Sequence, residues 1–565
     1  MKNIYLLIAV LALAFTTSCE KGFLDTAPTS SISEESVFST SENAMMAING
    51  IHRMMHEGHS SGTTTSWNGQ GGYPTFCMHL ALMTDDVVWT YSNIMYEDCA
   101  KWIHHRDLSH KYNDLNYYWK FFYRIVNNAN KVIEVYENEQ LPSNDQYAYL
   151  VQGQAYAYRA FALFNLVQTW AERYVPGGNN NQLGVIIRTS PSTEPKARST
   201  VEECYSLILS DLNTAYENLS KVTLAKENKS HIDQYVVKGL LARVYLAMGK
   251  WSEAADAASF VIEKSGAKLQ DDTYTLVLDR NCWATNTEWL WAQIAKEDGS
   301  QSGNPKSWHN FISNNNASYN RNSPRAILNL LYNTIPDSDL RKAMWCEDPY
   351  TQTVYLPKSS PKKAPWMSQK WILSDNATAA AARDVAYMRL PEMYLIAAEG
   401  YARSKDASKV AIAQDYLYTL AHHRDPQYVK SASTGDELAE EVMWQRRVEL
   451  WAECGLRWHD LKRLDLPVDR GPKPREGYNQ GGTLNGWGTS AKKAPWNDSK
   501  YLPLDPEASN YNMYGEQVVG ETARYIERPS KNKNWQWLIP ILELNNNPEC
   551  DQNEYNKLVK ISLTN

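Results

Sequence analysis

Apolar residues recur every three or four positions through much of the chain between residues 116 and 465. In "QYAYLVQGQAYAYRAFALFNLVQTW" the residues Ala155, Tyr158, Ala162 and Leu166 fall on one stripe, the pattern of an amphipathic helix. The preceding "NYYWKFFYRIVNNANKVIEVYENE" repeats it before a Pro-Ser-Asn break, so the two predict a helical hairpin near 116–174. A second hairpin, near 200–264, combines "VEECYSLILSDLNTAYENL" with "QYVVKGLLARVYLAMGKWSEAADAASFVIEK". There Ala242, Tyr245, Gly249 and Ala254 stand at tetratricopeptide offsets, where small residues let helices approach and a tyrosine fills the gap. Two further hairpins are expected near 384–424 and 436–465. The fold class that follows is all-α, tetratricopeptide-like hairpins with long irregular loop insertions.

The regular pattern fails near 57–115 and 266–383, stretches rich in aromatic, Asn and Gly residues. A compact repeat array does not need them, and binding residues gather on loops held by a rigid scaffold. They are therefore the expected ligand face. Residues 465–533, rich in Gly, Pro, Asn and Lys, read as mostly irregular, and "WQWLIPILELNNNPECDQN" after them reads as extended or strand-like.

At the other end, Lys2 and "IYLLIAVLALAF" have the basic flank and apolar core of an export signal, too short to span a bilayer comfortably. Small and hydroxylated residues lead to Cys19, where a lipoprotein signal would be cut and the new terminus acylated. The reading is a signal peptide over 1–18, a lipid-anchored tether over 19–32, and one domain over 33–565 whose first helix Ser33 caps.

Composition narrows the function. A net charge of −7 without a long single-sign run argues against nucleic acid as a partner. The seven cysteines besides Cys19 form no C-x-x-C pair, which speaks against a structural zinc, and their odd number does not suit a disulfide framework. The informative excess is 20 Trp and 35 Tyr against 10 Phe. Rings with a flat apolar face and a polar edge suit sugars, although each alone also suits a helical core.

Catalytic signals are weak. Asp85 and Asp86 in "ALMTDDVVWTYSN" are the one conspicuous carboxylate pair beside aromatics, but adjacent residues diverge, and capping a helix or stapling a loop is the expected role. His52 and His56 share a helical face without a third ligand, and His104 and His105 carry less still, so no metal and no cofactor are expected. Serine-nucleophile elbows, phosphate-cradling glycine loops and dinucleotide fingerprints are absent.

Several segments together resemble the SusD-like (RagB/SusD) family of Bacteroidetes nutrient-binding lipoproteins. "CEKGFLDTAP" is similar to its acylated cysteine and Phe-Leu-Asp step. "YMRLPEMYLIAAEGYAR" resembles its Arg-Leu-x-Glu-x-x-Leu-x-x-Ala-Glu helix through Arg389, Leu390, Glu392, Leu395, Ala398 and Glu399. The fourth hairpin resembles its Arg- and Glu-rich segment through Arg446, Arg447, Glu449, Leu450, Glu453, Arg457, Asp460, Leu461 and Arg463. Gln445 stands where that pattern has glutamate, and one extra residue lies between Glu453 and Arg457. At helical spacing these charges are expected to tie neighbouring helices by bidentate ion pairs.

The resemblance implies a lipoprotein of the outer membrane, facing the cell exterior, that captures oligosaccharide or polysaccharide for a SusC-like, TonB-dependent transporter, with no catalytic residues. On the ligand face the residues singled out are Trp67, Trp89, Tyr91, Asn93, Trp283 and Trp308, with Trp rings stacking on sugar faces and Asn93 and a loop Asp or Arg bonding hydroxyls. Two alternatives stand beside this: a secreted all-α polysaccharide lyase or glycoside hydrolase, and a peptide- or protein-binding tetratricopeptide scaffold.

Overall fold

The computed structural model describes residues 33–55, 71–89, 97–100, 102–106, 108, 114–270, 286–294, 312, 325–347, 366–371, 384–470 and 525–553. Helix dominates, and several helices start where a small polar side chain satisfies one of their first free N–H groups. Ser33 accepts from the Ser36 N–H to cap α1 (Glu34–Val37), and Thr40 accepts from Asn43 N–H to cap α2 (Ser41–Met54). The helical start is thus two helices. α3 (Tyr73–Leu82) follows, then β1 (Val87–Trp89) and the short α4 (Glu97–Ala100).

The first layered hairpin is α5 (Asp114–Glu137) against α6 (Gln146–Trp170), which Asp145 caps at 2.7 Å. α7 (Val201–Leu219) opens with a capping box, Thr200 and Glu203 satisfying each other's backbone N–H. It packs along α6. α8 (Gln234–Met248) and α9 (Trp251–Lys264) make a tight hairpin by themselves. Gly249 turns it at φ 69°, and a Cβ there would also lie 2.6 Å from Pro176. Ala242 and Ala254 are buried at the α8–α9 contact, with Tyr245 half-buried beside them.

Next come β2 (Trp289–Gln293), β3 (Arg325–Ile327), α10 (Asn329–Tyr332), β4 (Trp345–Cys346), β5 (Met367–Ser368) and β6 (Val385–Arg389). β6 runs directly into α11 (Leu390–Arg403), which packs on α9, on α12 (Val410–Arg424) and on α13 (Gly435–Glu449). α14 (Leu456–Arg463) follows, then the β7 (Val468–Asp469) and β8 (Tyr525–Ile526) pair. The strands are short. β1, β3, β5 and β4 form one antiparallel sheet in that order, and β2 pairs with β6.

Two expectations change. The closing segment is not extended throughout: after Pro540, residues Ile541–Asn546 form α15, since proline suits a helix start and nothing pairs the chain as a strand there. And α3, inside a stretch assigned to the ligand face, is buried along its whole length, because every residue of "YPTFCMHLAL" packs into the core. Among the described residues no helix is long and apolar enough to cross a membrane, and none of the six described cysteines is in a disulfide.

Candidate functional site

Of the residues singled out for ligand contact, Trp67, Tyr91, Asn93, Trp283 and Trp308 lie outside the described residues, as do Cys19 and the tether. Trp89 is placed at the level of its backbone, as the last residue of β1, opposite Arg325 of β3. What the structure shows in detail is the support on which Trp89 stands.

That support is the loop between α3 and β1. Arg457 holds Asp85 in a bidentate pair at 2.8 and 2.7 Å. Arg447 reaches Asp86 at 2.6 Å and Asp85 at 3.6 Å. The Asp86 carbonyl accepts from Trp451 Nε1 at 2.9 Å and from the Leu328 N–H at 3.1 Å. Arg470 ties the carbonyls of Leu82, Thr84 and Ala100 at 3.2, 3.1 and 2.7 Å. Both aspartates are buried. Burial alone would raise Asp85, yet Arg457 and Arg447 outweigh it and bring its carboxyl down to about 2. Asp86 moves the opposite way: burial raises it, Arg447 opposes, and the neighbouring Asp85 charge adds to the rise. The pair is a loop staple.

Arg447 and Arg457 belong to α13 and α14, which sit on a second, larger charge network. Arg389 grips Glu453 at 2.8 and 2.7 Å and reaches Glu288 at 3.0 Å and Glu449 at 3.2 Å. Arg424 bonds Glu288 at 2.6 Å and Glu449 at 3.2 Å. Arg341 bonds Asp339 at 2.7 Å, Gln445 at 2.6 Å and Glu449 at 3.4 Å. Lys370 Nζ donates to Glu453 at 2.6 Å and to the carbonyls of Glu449 and Trp451 at 2.9 and 3.1 Å. Burial would raise Glu449, but Arg424, Arg389 and Arg341 together hold it far below the usual carboxylate range.

Four cations thus face four carboxylates in this network, and the neutral Gln445 completes it. A glutamate at 445 would add an uncompensated charge to a buried cluster. The extra residue between Glu453 and Arg457 is absorbed in a turn with Ala452, Cys454 and Gly455 at φ 59°, 48° and 64°.

The aromatic excess resolves in a similar way. The fourteen tryptophans whose side chains are described are all buried or half-buried; none is exposed. Trp102, Trp458 and Trp535 interlock, and Trp345 meets Trp451 edge-on at 5.5 Å.

Residues 349–555 match the family described as the SusD family, and residues 71–246 match its relative described as starch-binding, associating with outer membrane. The chain belongs to the SusD/RagB family. Over 306 residues it is 26% identical to a SusD-like protein of Bacteroides ovatus, a match that covers 50% of this chain and 48% of that protein, about half of each. Two solved structures share the fold. A SusD-like carbohydrate-binding protein from Bacteroides vulgatus superposes with a TM-score of 0.69 at 20% identity, over 90% of this chain and 97% of that one. Surface glycan-binding protein A from Bacteroides thetaiotaomicron does so with 0.59 at 16% identity, over 92% and 100%.

In this SusD-family chain the motif residues of α11, α13 and α14 are accounted for by structure. Glu392 pairs with Arg243 of α8 at 2.8 and 2.6 Å, and Glu399 with Arg463 of α14 at 2.9 and 2.7 Å. Arg446 bonds Asp460 at 2.7 Å. Their partners lie on other elements, so the spacing revealed that they pair but not with what. Sequence reading missed Glu288, Asp339, Arg341, Lys370 and Arg424, which have no local signature.

Proposed function

We propose that this protein is a lipid-anchored glycan-capture protein of the outer membrane, facing the cell exterior, that holds an oligosaccharide or polysaccharide and passes it to a SusC-like, TonB-dependent transporter. The observation that carries the reading is the pair of family matches bracketing the body, one of them described as starch-binding and associated with the outer membrane. In this reading Cys19 is acylated, residues 19–32 form the tether, and anchoring raises the concentration of captured glycan at the transporter. Trp67, Trp89, Trp283 and Trp308 stack on sugar faces, while Tyr91 and Asn93 border the site and Asn93 bonds hydroxyls.

The reading is non-catalytic. A glycosidase needs two carboxylates facing a sugar across a gap of about 5–9.5 Å. Asp85 and Asp86 are buried and engaged by Arg457 and Arg447, so this pair has no oxygen to offer a substrate. The test is calorimetric titration of the purified protein against a panel of host and plant polysaccharides, with an assay of the same mixtures for new reducing ends. Saturable heat without new ends is the expected result. New ends would replace capture with hydrolysis or lysis, and stoichiometric binding of peptides in place of glycans would favour the peptide-binding scaffold.

A further inference from the structure

Residues 97–100 and 102–106 fold back over α3. Trp102, in the left-handed region at φ 59°, donates from Nε1 to the Met83 carbonyl at 2.8 Å, and Arg470 holds the Ala100 carbonyl. This return brings Cys99 and His104 against His79. One ligating atom from each, a ring nitrogen of His79, the Cys99 sulfur and a ring nitrogen of His104, all lie within 4.8 Å of one another. The three residues are 0%, 1% and 2% exposed.

Aromatic rings pack against both imidazoles. The His79 and His104 centroids are 4.8 Å apart at 33°, Tyr118 meets His79 edge-on at 5.2 Å, and Trp537 meets His104 edge-on at 5.1 Å.

We propose that His79, Cys99 and His104 form a binding site for a borderline-soft transition-metal ion, zinc(II) in the first instance. Two imidazole nitrogens and a thiolate are zinc ligands at about 2.0–2.1 and about 2.3 Å. Tetrahedral bonds of those lengths set the ligating atoms roughly 3.3–3.6 Å apart, so the cluster closes onto an ion by side-chain rotation. The trio contains no carboxylate, which disfavours calcium and magnesium. On binding, the Cys99 thiol gives its proton to solvent and the sulfur's electron pair forms the bond to zinc; no oxidation is involved.

The site's position gives it a purpose. His79 and Cys99 bracket the chain that contains the Asp85–Asp86 staple and β1. An ion would therefore close this loop at its base, independently of the ion pairs that hold it from α13 and α14.

The test uses the purified protein without a polyhistidine tag, stripped with chelator and titrated with zinc(II) against a chromophoric chelator, and with cobalt(II) as an optical probe. The expected result is one tightly bound ion per chain, a thiolate-to-cobalt charge-transfer band, a zinc-dependent rise in Tm, and at least about 10-fold weaker binding in Cys99→Ser, the lower bound set by changes at outer-shell residues. His104→Gln, which keeps the thiol, should weaken binding likewise. Should Cys99→Ser fail to fold, His104→Gln and the charge-transfer band of the unaltered protein decide the matter. Absence of a stoichiometric ion, a bound ion without the thiolate band, or affinity unchanged in both variants would overturn the proposal.

Discussion

The two halves of the helical body keep different interiors. From α5 to α9 the contacts are largely apolar and aromatic, and among the described residues the buried ion pair internal to these helices is Arg159 with Asp211 at 2.8 and 2.7 Å, tying α6 to α7, while Arg243 of α8 pairs outward with Glu392 of α11. From β6 to α14 the interior is full of guanidinium and carboxylate groups, and these are the groups that clamp the β1 loop. An apolar contact is non-directional and tolerates small shifts, whereas bidentate pairs fix distance and angle. The difference suggests a division of labour: the first half supplies the core, and the second sets the position of the loop carrying Trp89.

Breaking one member of the network gives the largest expected effect. Glu449→Ala leaves Arg341, Arg389 and Arg424 facing one another in a buried site, and removing one partner of a buried pair costs about 3–5 kcal/mol. Urea unfolding should report it. Arg159→Met, with a single carboxylate partner, tests the same point in the first half.

Acid sharpens the contrast. Despite burial, arginines hold Glu449, Glu453 and Asp460 below their ordinary pKa, and Asp85 is down at about 2. Their contribution is complete above the unfolded values of 3.8 and 4.5 and is lost as pH falls through the depressed folded values. His459 of α14, pushed by burial to about 3 from 6.5, stays neutral in the fold while the unfolded chain takes up a proton, so it too loses stability, beginning below pH 6.5. Asp211 has the opposite sign, because burial raises it more than Arg159 lowers it. Amide exchange followed by mass spectrometry, on acidification from about pH 6 to about pH 3, should therefore rise first over α11–α14 and later over α5–α9. The reverse order would undo the comparison.

Where the halves meet, a Cβ on Gly400 of α11 would lie 2.5 Å from the Trp251 carbonyl and 3.1 Å from the Ala255 nitrogen, both backbone atoms of α9. Gly400→Ala should cost about 1–3 kcal/mol as an overpacking defect, read as a lowered urea midpoint. Smallest is Thr200→Ala, which removes the α7 capping box for about 1 kcal/mol and should leave the network's acid response unchanged.

These differences also explain what the sequence discloses. The α5–α6 hairpin is legible because its apolar stripe has a helix period, and the turn at Gly249 because a left-handed position favours glycine. The Arg and Glu residues of α13 and α14 announce pairing by type and spacing. Their partners do not: Arg424 meets Glu288 from 136 residues away, a contact only the folded chain makes. Tryptophan content is ambiguous for a related reason, since a ring suited to a sugar is equally suited to a core, and fourteen of them are at least half-buried. His79, Cys99 and His104 follow no ligand motif, because the left-handed turn at Trp102 and not a regular spacing brings them together.

The central claim is that binding and scaffolding use different residues. Trp89→Ala, measured by calorimetry with the best glycan of the panel and by thermal unfolding, tests it most directly. The account predicts loss of saturable binding with an unchanged Tm; glycan affinity equal to that of the unaltered protein, or a fall in Tm that accounts for the lost binding, would contradict it.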